Sequence, residues 1–279
     1  MPDFDVKYGE YLRYFEDCLK RRLNCLSESA PETIKAAMKY AVIGGGKRVR
    51  PVLCFAVYEM LGGNFSEMKE LALAIEFIHS YSLVHDDLPA MDNDDYRRGK
   101  FSTHKKFGEA TGILAGDALL NFAFETVFSA NDFTDGYVKA ARLIADYSGY
   151  NGMIGGQVSD IENEKNQTAG EKDLYDIYLN KTAKLMSAPI LAASRVNGDK
   201  YYDELKEYGY NLGVLFQITD DILDECGTLE QIGKTPHKDD AENKLTAIRI
   251  FGIEGAKQRA FTHYSKAINI IEKLTATAF

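Results

Sequence analysis

The chain has 279 residues, enough for one large domain or two small ones. Apolar residues make up 45% and charged residues 27%, the balance of a soluble globular protein. A formal net charge of −9 excludes a general nucleic-acid or anionic-membrane surface. The four cysteines, Cys18, Cys25, Cys54 and Cys226, lack CxxC or Cys/His ligand spacing; reduced cytosolic thiols in packed positions are expected. The N-terminal stretch MPDFDVKYGEYLRYFEDCLKRRL is charged and amphipathic, without the apolar segment of a signal peptide. No run approaches the ~20 apolar residues that a membrane span needs. A cytoplasmic protein without stable membrane insertion is therefore expected.

Strand-like alternation is nearly missing, and apolar residues recur at helical spacing. The pattern predicts helices over Tyr8–Leu26, from Ala30-Pro31-Glu32 to Val42, over Pro51–Leu61 and over Glu67–Asp86. Gly44-Gly45-Gly46 stops the second and Gly62-Gly63 the third. The Glu67–Asp86 segment is apolar on nearly all sides, as a helix in the middle of a bundle would be. Further helices are predicted over Ala110–Ala130, Val138–Ile161, Glu171–Arg195, Tyr201–Asp224 and Lys244–Leu274. Polar connections fall at Asn93–Thr103 and Glu225–Asn243. The whole chain, 1–279, reads as one all-α domain, a large helical bundle with a central cavity.

Two aspartate clusters sit where long helices end: Asp86-Asp87-Leu-Pro-Ala-Met-Asp92 and Asp220-Asp221-Ile-Leu-Asp224. Carboxylates at a helix C-terminus oppose the macrodipole, so a counter-ion is expected. Asp220 and Asp224 are four apart, on one face and about 6 Å apart in rise, whereas Asp221 points about 100° away. That spacing suits Mg²⁺, a hard ion that keeps water and phosphate oxygens among its ligands. In the first cluster Pro89 breaks the helix, so Asp92 can fold back toward Asp86. Asn93, Asp94 and Asp95 are expected in solvated turn contacts. Arg97-Arg98 offers guanidinium forks for phosphate oxygens, or else ion pairs with the neighbouring aspartates.

The stretch Gly44-Gly45-Gly46-Lys47-Arg48-Val49-Arg50-Pro51 is a glycine turn followed by cations and by a proline suited to a first helical turn. It could form an anion site or a cationic surface turn. The Walker A spacing is missing, which disfavours ATP. His79 lies two helical turns before Asp86, and Gln217 three residues before Asp220. Lys181-Thr182 is a polar pair inside an apolar helix.

Taken together these residues resemble the polyprenyl synthetase family of trans-prenyltransferases, specifically the short-chain isoprenyl diphosphate synthases. The matching segments are GGGKRVRP at 44–51, IEFIHSYSLVHDDLPAMDNDDYRRGK at 75–100, GGQVSDI at 155–161, KTAKL at 181–185, FQITDDILD at 216–224 and GKTPHKDDAENKLTAIRIFGIEGAK at 233–257. The resemblance implies the isoprenoid synthase fold and condensation of isopentenyl diphosphate with an allylic diphosphate such as dimethylallyl or geranyl. It implies that Asp86, Asp92 and Asp220 hold Mg²⁺, three ions per site with Mn²⁺ as a substitute, and that Asp87 and Asp224 support them. Arg97, Lys181, Lys234 and Lys244 would bind the allylic diphosphate, with Thr182 and Gln217 beside it. Lys47, Arg50, His79 and Arg98 would bind isopentenyl diphosphate. A homodimer is also implied.

This chemistry needs charge stabilisation on a departing diphosphate and a dry cavity for the carbocation. Asp86, Asp92, Asp220, Lys181 and Arg97 would carry it. The growing product would run from Asp86 down its own helix, past Ser82 and Tyr81. A tyrosine at that position, with Pro89-Ala90 inserted in the motif, implies a C15 product, farnesyl diphosphate, with geranylgeranyl diphosphate next. Two departures from the family stand out. His237 replaces a common glycine, and the chain ends at IEKLTATAF, before the further basic helix that helps to close the site. A class I terpene cyclase would carry an Asn/Ser/Glu triad in place of the second aspartate cluster. A non-catalytic subunit would have lost one of the two clusters.

Overall fold

The computed structural model describes residues 4–164, 166, 168–226 and 244–278. Lys234, His237 and Lys238 lie outside the described residues. Met1–Glu59 with Gly63–Phe133 forms one compact unit, and Met60–Gly62 with Thr134–Phe279 forms a second.

The first unit contains α1 (Phe4–Asn24), α2 (Glu32–Ile43), α3 (Val49–Met60), α4 (Lys69–Asp86), α5 (Thr103–Phe107) and α6 (Glu109–Val127). Helix α4 is its centre: Leu71 to Ile78 are all buried, as its apolar circumference required. Phe15, Leu19 and Leu23 of α1 are also fully buried. Phe55 of α3 gathers Tyr11, Tyr14 and Phe65 around it with ring centroids 5.6–6.3 Å away. Helix α6 approaches α4 closely because Gly116 has no side chain: a Cβ there would lie 2.0 Å from His85 Nε2. His85 fills the space and hydrogen-bonds the Ile113 carbonyl at 3.0 Å.

The second unit contains α7 (Asp135–Ser148), α8 (Met153–Asn163), α9 (Glu171–Ile177), a π turn (Tyr178–Ala183), α10 (Lys184–Val196), α11 (Tyr202–Cys226) and α12 (Ala247–Ala278). Helix α12 is interrupted at Gly252, whose φ of 67° only glycine adopts readily. The core joins Leu174, Ile177 and Tyr178 to Val214 and Ile218 of α11 and to Leu245 and Ala247. Gly213 lets α11 close on the π turn, since a Cβ there would sit 2.4 Å from Ala183 Cα.

Three expectations are corrected. The single helix over Val138–Ile161 is two, α7 and α8, because Gly149 and Gly152 interrupt it, and Gly152 takes φ −132°, ψ −124°. The connection after the first aspartate cluster holds a short hairpin, β1 (Tyr96–Arg97) with β2 (Lys100–Phe101), and then α5. The cysteines are unpaired, but only Cys18 and Cys54 are packed; Cys25 and Cys226 are exposed.

Candidate functional site

In the first unit α4 ends at Asp86, and Pro89 prevents its continuation. The chain turns back on itself: Asp92 N–H donates to the Asp86 carbonyl at 2.9 Å and Asp94 N–H to the Asp87 carbonyl at 3.2 Å. Asp86 and Asp92 are thereby drawn together, both half-buried. The hairpin then reverses at Arg98 (φ 54°) and Gly99 (φ 72°), the two positive-φ positions that a tight hairpin turn of this hand requires. Tyr96 stacks on Phe101 across it, with ring centroids 5.0 Å apart.

This turn separates the two arginines. Arg97 donates from Nε to Asp87 Oδ1 at 2.9 Å, and its terminal NH2 group reaches both Asp87 Oδ1 and Asp94 Oδ2. Burial pushes the Asp87 carboxyl up to about 6, with the Arg97 hydrogen bond pulling the other way. Asp94 is buried and ion-paired, not a solvated turn residue; Asp95 pairs with Lys105 at 2.8 Å. Arg98 swings instead to the glycine turn and donates to the Gly45 carbonyl.

The glycine turn assigns its cations different tasks. Arg48 is buried and donates to Glu16, to Glu76 and to the Val42 carbonyl at 2.7–2.8 Å, which fixes the turn. Lys47 is exposed. Arg50 is half-buried, its Nε has no hydrogen-bond partner, and its guanidinium is depressed to about 10. Burial is the largest cause; Glu76 opposes it and Arg98 adds to it. The His79 imidazole is held well below its usual range, first by burial and then by Arg50 and Arg98. Arg50, Arg98 and His79 thus share one electropositive corner of this unit. Five residues before Asp86, Tyr81 is buried with its hydroxyl unpartnered, and its phenol is raised to about 12 by burial and by Asp86. Ser82 Oγ donates to the His79 carbonyl at 3.0 Å.

In the second unit Asp220 is half-buried and Asp224 buried near the end of α11. Asp221, a third of a turn away, is buried in another direction and accepts from Gln217 Nε2 at 3.1 Å and from Ala247 N–H at 2.6 Å. Lys181 and Thr182 lie in the π turn rather than in a regular helix. Lys181 Nζ meets Asp160 Oδ2 at 2.5 Å, and Thr182 Oγ1 donates to Gln217 Oε1 at 2.7 Å. Gln217 is therefore tied between Thr182 and Asp221. Lys244 is half-buried just before α12. Sequence reasoning gives Asp160 and Tyr178 no role and places Asp94 in a solvated turn. The partners of the first two lie 21 and 43 residues away, beyond the reach of helical spacing.

Among the described residues, no group of three His, Cys, Asp or Glu side chains within itself makes a metal site. The two aspartate clusters belong to different units. Their donors are all carboxylate oxygens, which fit a hard divalent ion such as Mg²⁺. Asp86 and Asp92 suit that role; Asp87 is given over to Arg97.

The sequence pattern of the polyprenyl synthetase family matches residues 31–276. The farnesyl diphosphate synthase of Micrococcus luteus is 42% identical over 245 residues, 85% of this chain and 84% of that one. Geranylgeranyl pyrophosphate synthase 4 of Arabidopsis thaliana is 41% identical, covering 91% of this chain and 70% of that one. Among solved structures, a geranyltransferase from Helicobacter pylori complexed with magnesium and isoprenyl diphosphate superposes with a TM-score of 0.88 at 33% identity, over 98% of this chain and 92% of that one. The fold is the all-α isoprenoid synthase fold.

Proposed function

Because the chain belongs to the polyprenyl synthetase family of prenyltransferases, we propose that it condenses isopentenyl diphosphate with dimethylallyl or geranyl diphosphate to give farnesyl diphosphate. The observation that carries this reading is the electropositive corner of the first unit. Arg50 and Arg98 repel one another and both press on His79, and the acids that act on them are already engaged, Glu76 by Arg48 and Asp87 by Arg97. A diphosphate placed there relieves that repulsion and supplies the acceptor that Arg50 Nε lacks. Lys47, exposed on the adjacent turn, adds a mobile charge. This is the proposed isopentenyl diphosphate subsite, and it needs no metal.

Asp86, Asp92 and Asp220 are proposed to hold Mg²⁺, with Asp87 and Asp224 in support. Mg²⁺ bound there supplies electrostatic stabilisation of the departing allylic diphosphate. Arg97, Lys181, Lys234 and Lys244 are assigned to bind the allylic diphosphate, with Thr182 and Gln217 in support. Tyr81, buried five residues before Asp86, limits the length of the product. The whole chain acts as one domain, as a cytoplasmic homodimer. Geranylgeranyl diphosphate is the second reading, favoured by relatives as similar as 44% named as geranylgeranyl pyrophosphate synthases or their subunits.

Binding of isopentenyl diphosphate without metal tests the subsite. Calorimetry should give saturable binding to the unaltered protein and at least ~10-fold weaker binding to Arg98→Ala, the loss expected for a charge-assisted contact. Equal affinity in the two proteins would contradict it.

A further inference from the structure

The second unit contains a buried polar junction that the roles above leave unused. Asp221 and Tyr178 are each 3% exposed. The Tyr178 hydroxyl donates to Asp221 Oδ2. Ala247 N–H donates to the same oxygen at 2.6 Å and lies 2.8 Å from the Tyr178 oxygen. Gln217 Nε2 donates to Oδ1 at 3.1 Å. Donors from the π turn, from α11 and from the first residue of α12 thus converge on one carboxylate.

A carboxylate taken out of water costs several kcal/mol unless charge-assisted hydrogen bonds replace its hydration, and well-packed apolar residues often serve stability as well. A buried carboxyl gripped by three donors therefore points to a positional task. Asp221 shares its helical turn with Asp220, and Ala247 follows Lys244 by three residues. One carboxylate fixes both the rotation of the α11 end that carries Asp220 and the entry of the segment that carries Lys244.

We infer that Tyr178 and Asp221 form a latch, a pair of positioning residues that holds the Lys244 segment in register with Asp220. The aspartate and the lysine are then presented together to a magnesium–diphosphate group. The latch rests on the proposed diphosphate-binding roles of Asp220 and Lys244. Gln217 links it further to Thr182, so a shift of the latch reaches the π turn as well.

Tyr178→Phe removes the hydroxyl but keeps the ring that packs edge-on against Tyr175. Two readouts are needed: hydrogen exchange of the peptide covering residues 244–251, and calorimetric affinity for inorganic diphosphate with Mg²⁺. The latch predicts faster exchange in that peptide and at least ~10-fold weaker magnesium–diphosphate binding, about 1.4 kcal/mol, in Tyr178→Phe. Asp221→Asn should act in the same direction. Metal-free isopentenyl diphosphate binding should stay unchanged in both. If the unaltered protein binds magnesium–diphosphate and Tyr178→Phe binds it equally well, the latch is overturned while the functional reading stands. If the unaltered protein does not bind it at all, the functional reading falls and takes the latch's role with it.

Discussion

Arg97 and Asp87 are joined through two nitrogens of the guanidinium to a single carboxylate oxygen, Oδ1, with Nε at 2.9 Å. The second aspartate of the first motif therefore holds an arginine in place. The fork is fixed in one orientation, and a lysine cannot reproduce it. Arg97→Lys is expected to lower kcat/KM for the allylic substrate by ~10–100-fold, about 1.4–2.7 kcal/mol of transition-state stabilisation. Steady-state kinetics with geranyl diphosphate as the varied substrate checks this; unchanged kcat/KM would count against a substrate-binding role for Arg97.

Asp86→Ala and Asp220→Ala should each depress turnover by ~100-fold or more, the scale of removing a charge-stabilising contribution from an ionisation step. Both residues are half-buried, Asp86 at the end of α4 and Asp220 in the last two turns of α11, so the fold should survive. Circular dichroism and thermal melting separate the two effects. A variant that melts like the unaltered protein and turns over normally would remove that aspartate from the proposed metal set.

Tyr81 gives a prediction with two parts. Tyr81→Ala should lengthen the product beyond C15, because it removes a buried ring from α4 five residues before Asp86. It should also lower stability by about 3–5 kcal/mol, as a buried aromatic residue cut to alanine does. Tyr81→Phe keeps the ring and removes a hydroxyl that has no partner, so it should leave product length unchanged. Mass analysis of the products decides between a length-limiting ring and ordinary packing.

Much of this was legible in the sequence. Helical spacing located α1, α2, α3, α6 and α11 within a few residues, since each buries an apolar face of period 3.6, and the long apolar run located α4, buried nearly all round. Asp221 was expected to point away from Asp220, and it does. The division of Val138–Ile161 was not legible, because glycine is tolerated inside a helix and only packing reveals that Gly152 leaves it. The π turn at Tyr178–Ala183 has no local signal either. It is fixed by neighbours such as Gly213, which are distant in sequence. The same reason hid Asp160 and Tyr178, whose partners are set by tertiary structure.

Gly213→Ala tests that packing. The added Cβ would meet the Ala183 backbone at 2.4 Å, and a backbone contact cannot rotate away. Destabilisation of about 1–3 kcal/mol is expected from overpacking, read as a lower melting temperature with helical content retained.

His263 gives a pH signature. It is buried between Tyr175 and Tyr210, and its Nδ1 lies 2.8 Å from Asn211 Oδ1. Burial lowers its pKa, and Lys266 lowers it further. A folded value below the unfolded ~6.5 means that the unfolded chain takes up the proton first. The His263 contribution to stability is therefore fully present above about pH 6.5 and is lost as the pH falls below it. Denaturant titrations of the unaltered protein and of His263→Gln should converge toward acid pH. Parallel pH curves would exclude this histidine as the source.

The central claim is tested most directly by incubating the protein with Mg²⁺, isopentenyl diphosphate and each allylic diphosphate in turn, and weighing the products by mass spectrometry. The account predicts condensation with dimethylallyl and geranyl diphosphate and accumulation of a C15 diphosphate. Accumulation of a C20 diphosphate would overturn the assigned product and keep the chemistry. No condensation with any primer would contradict the account as a whole.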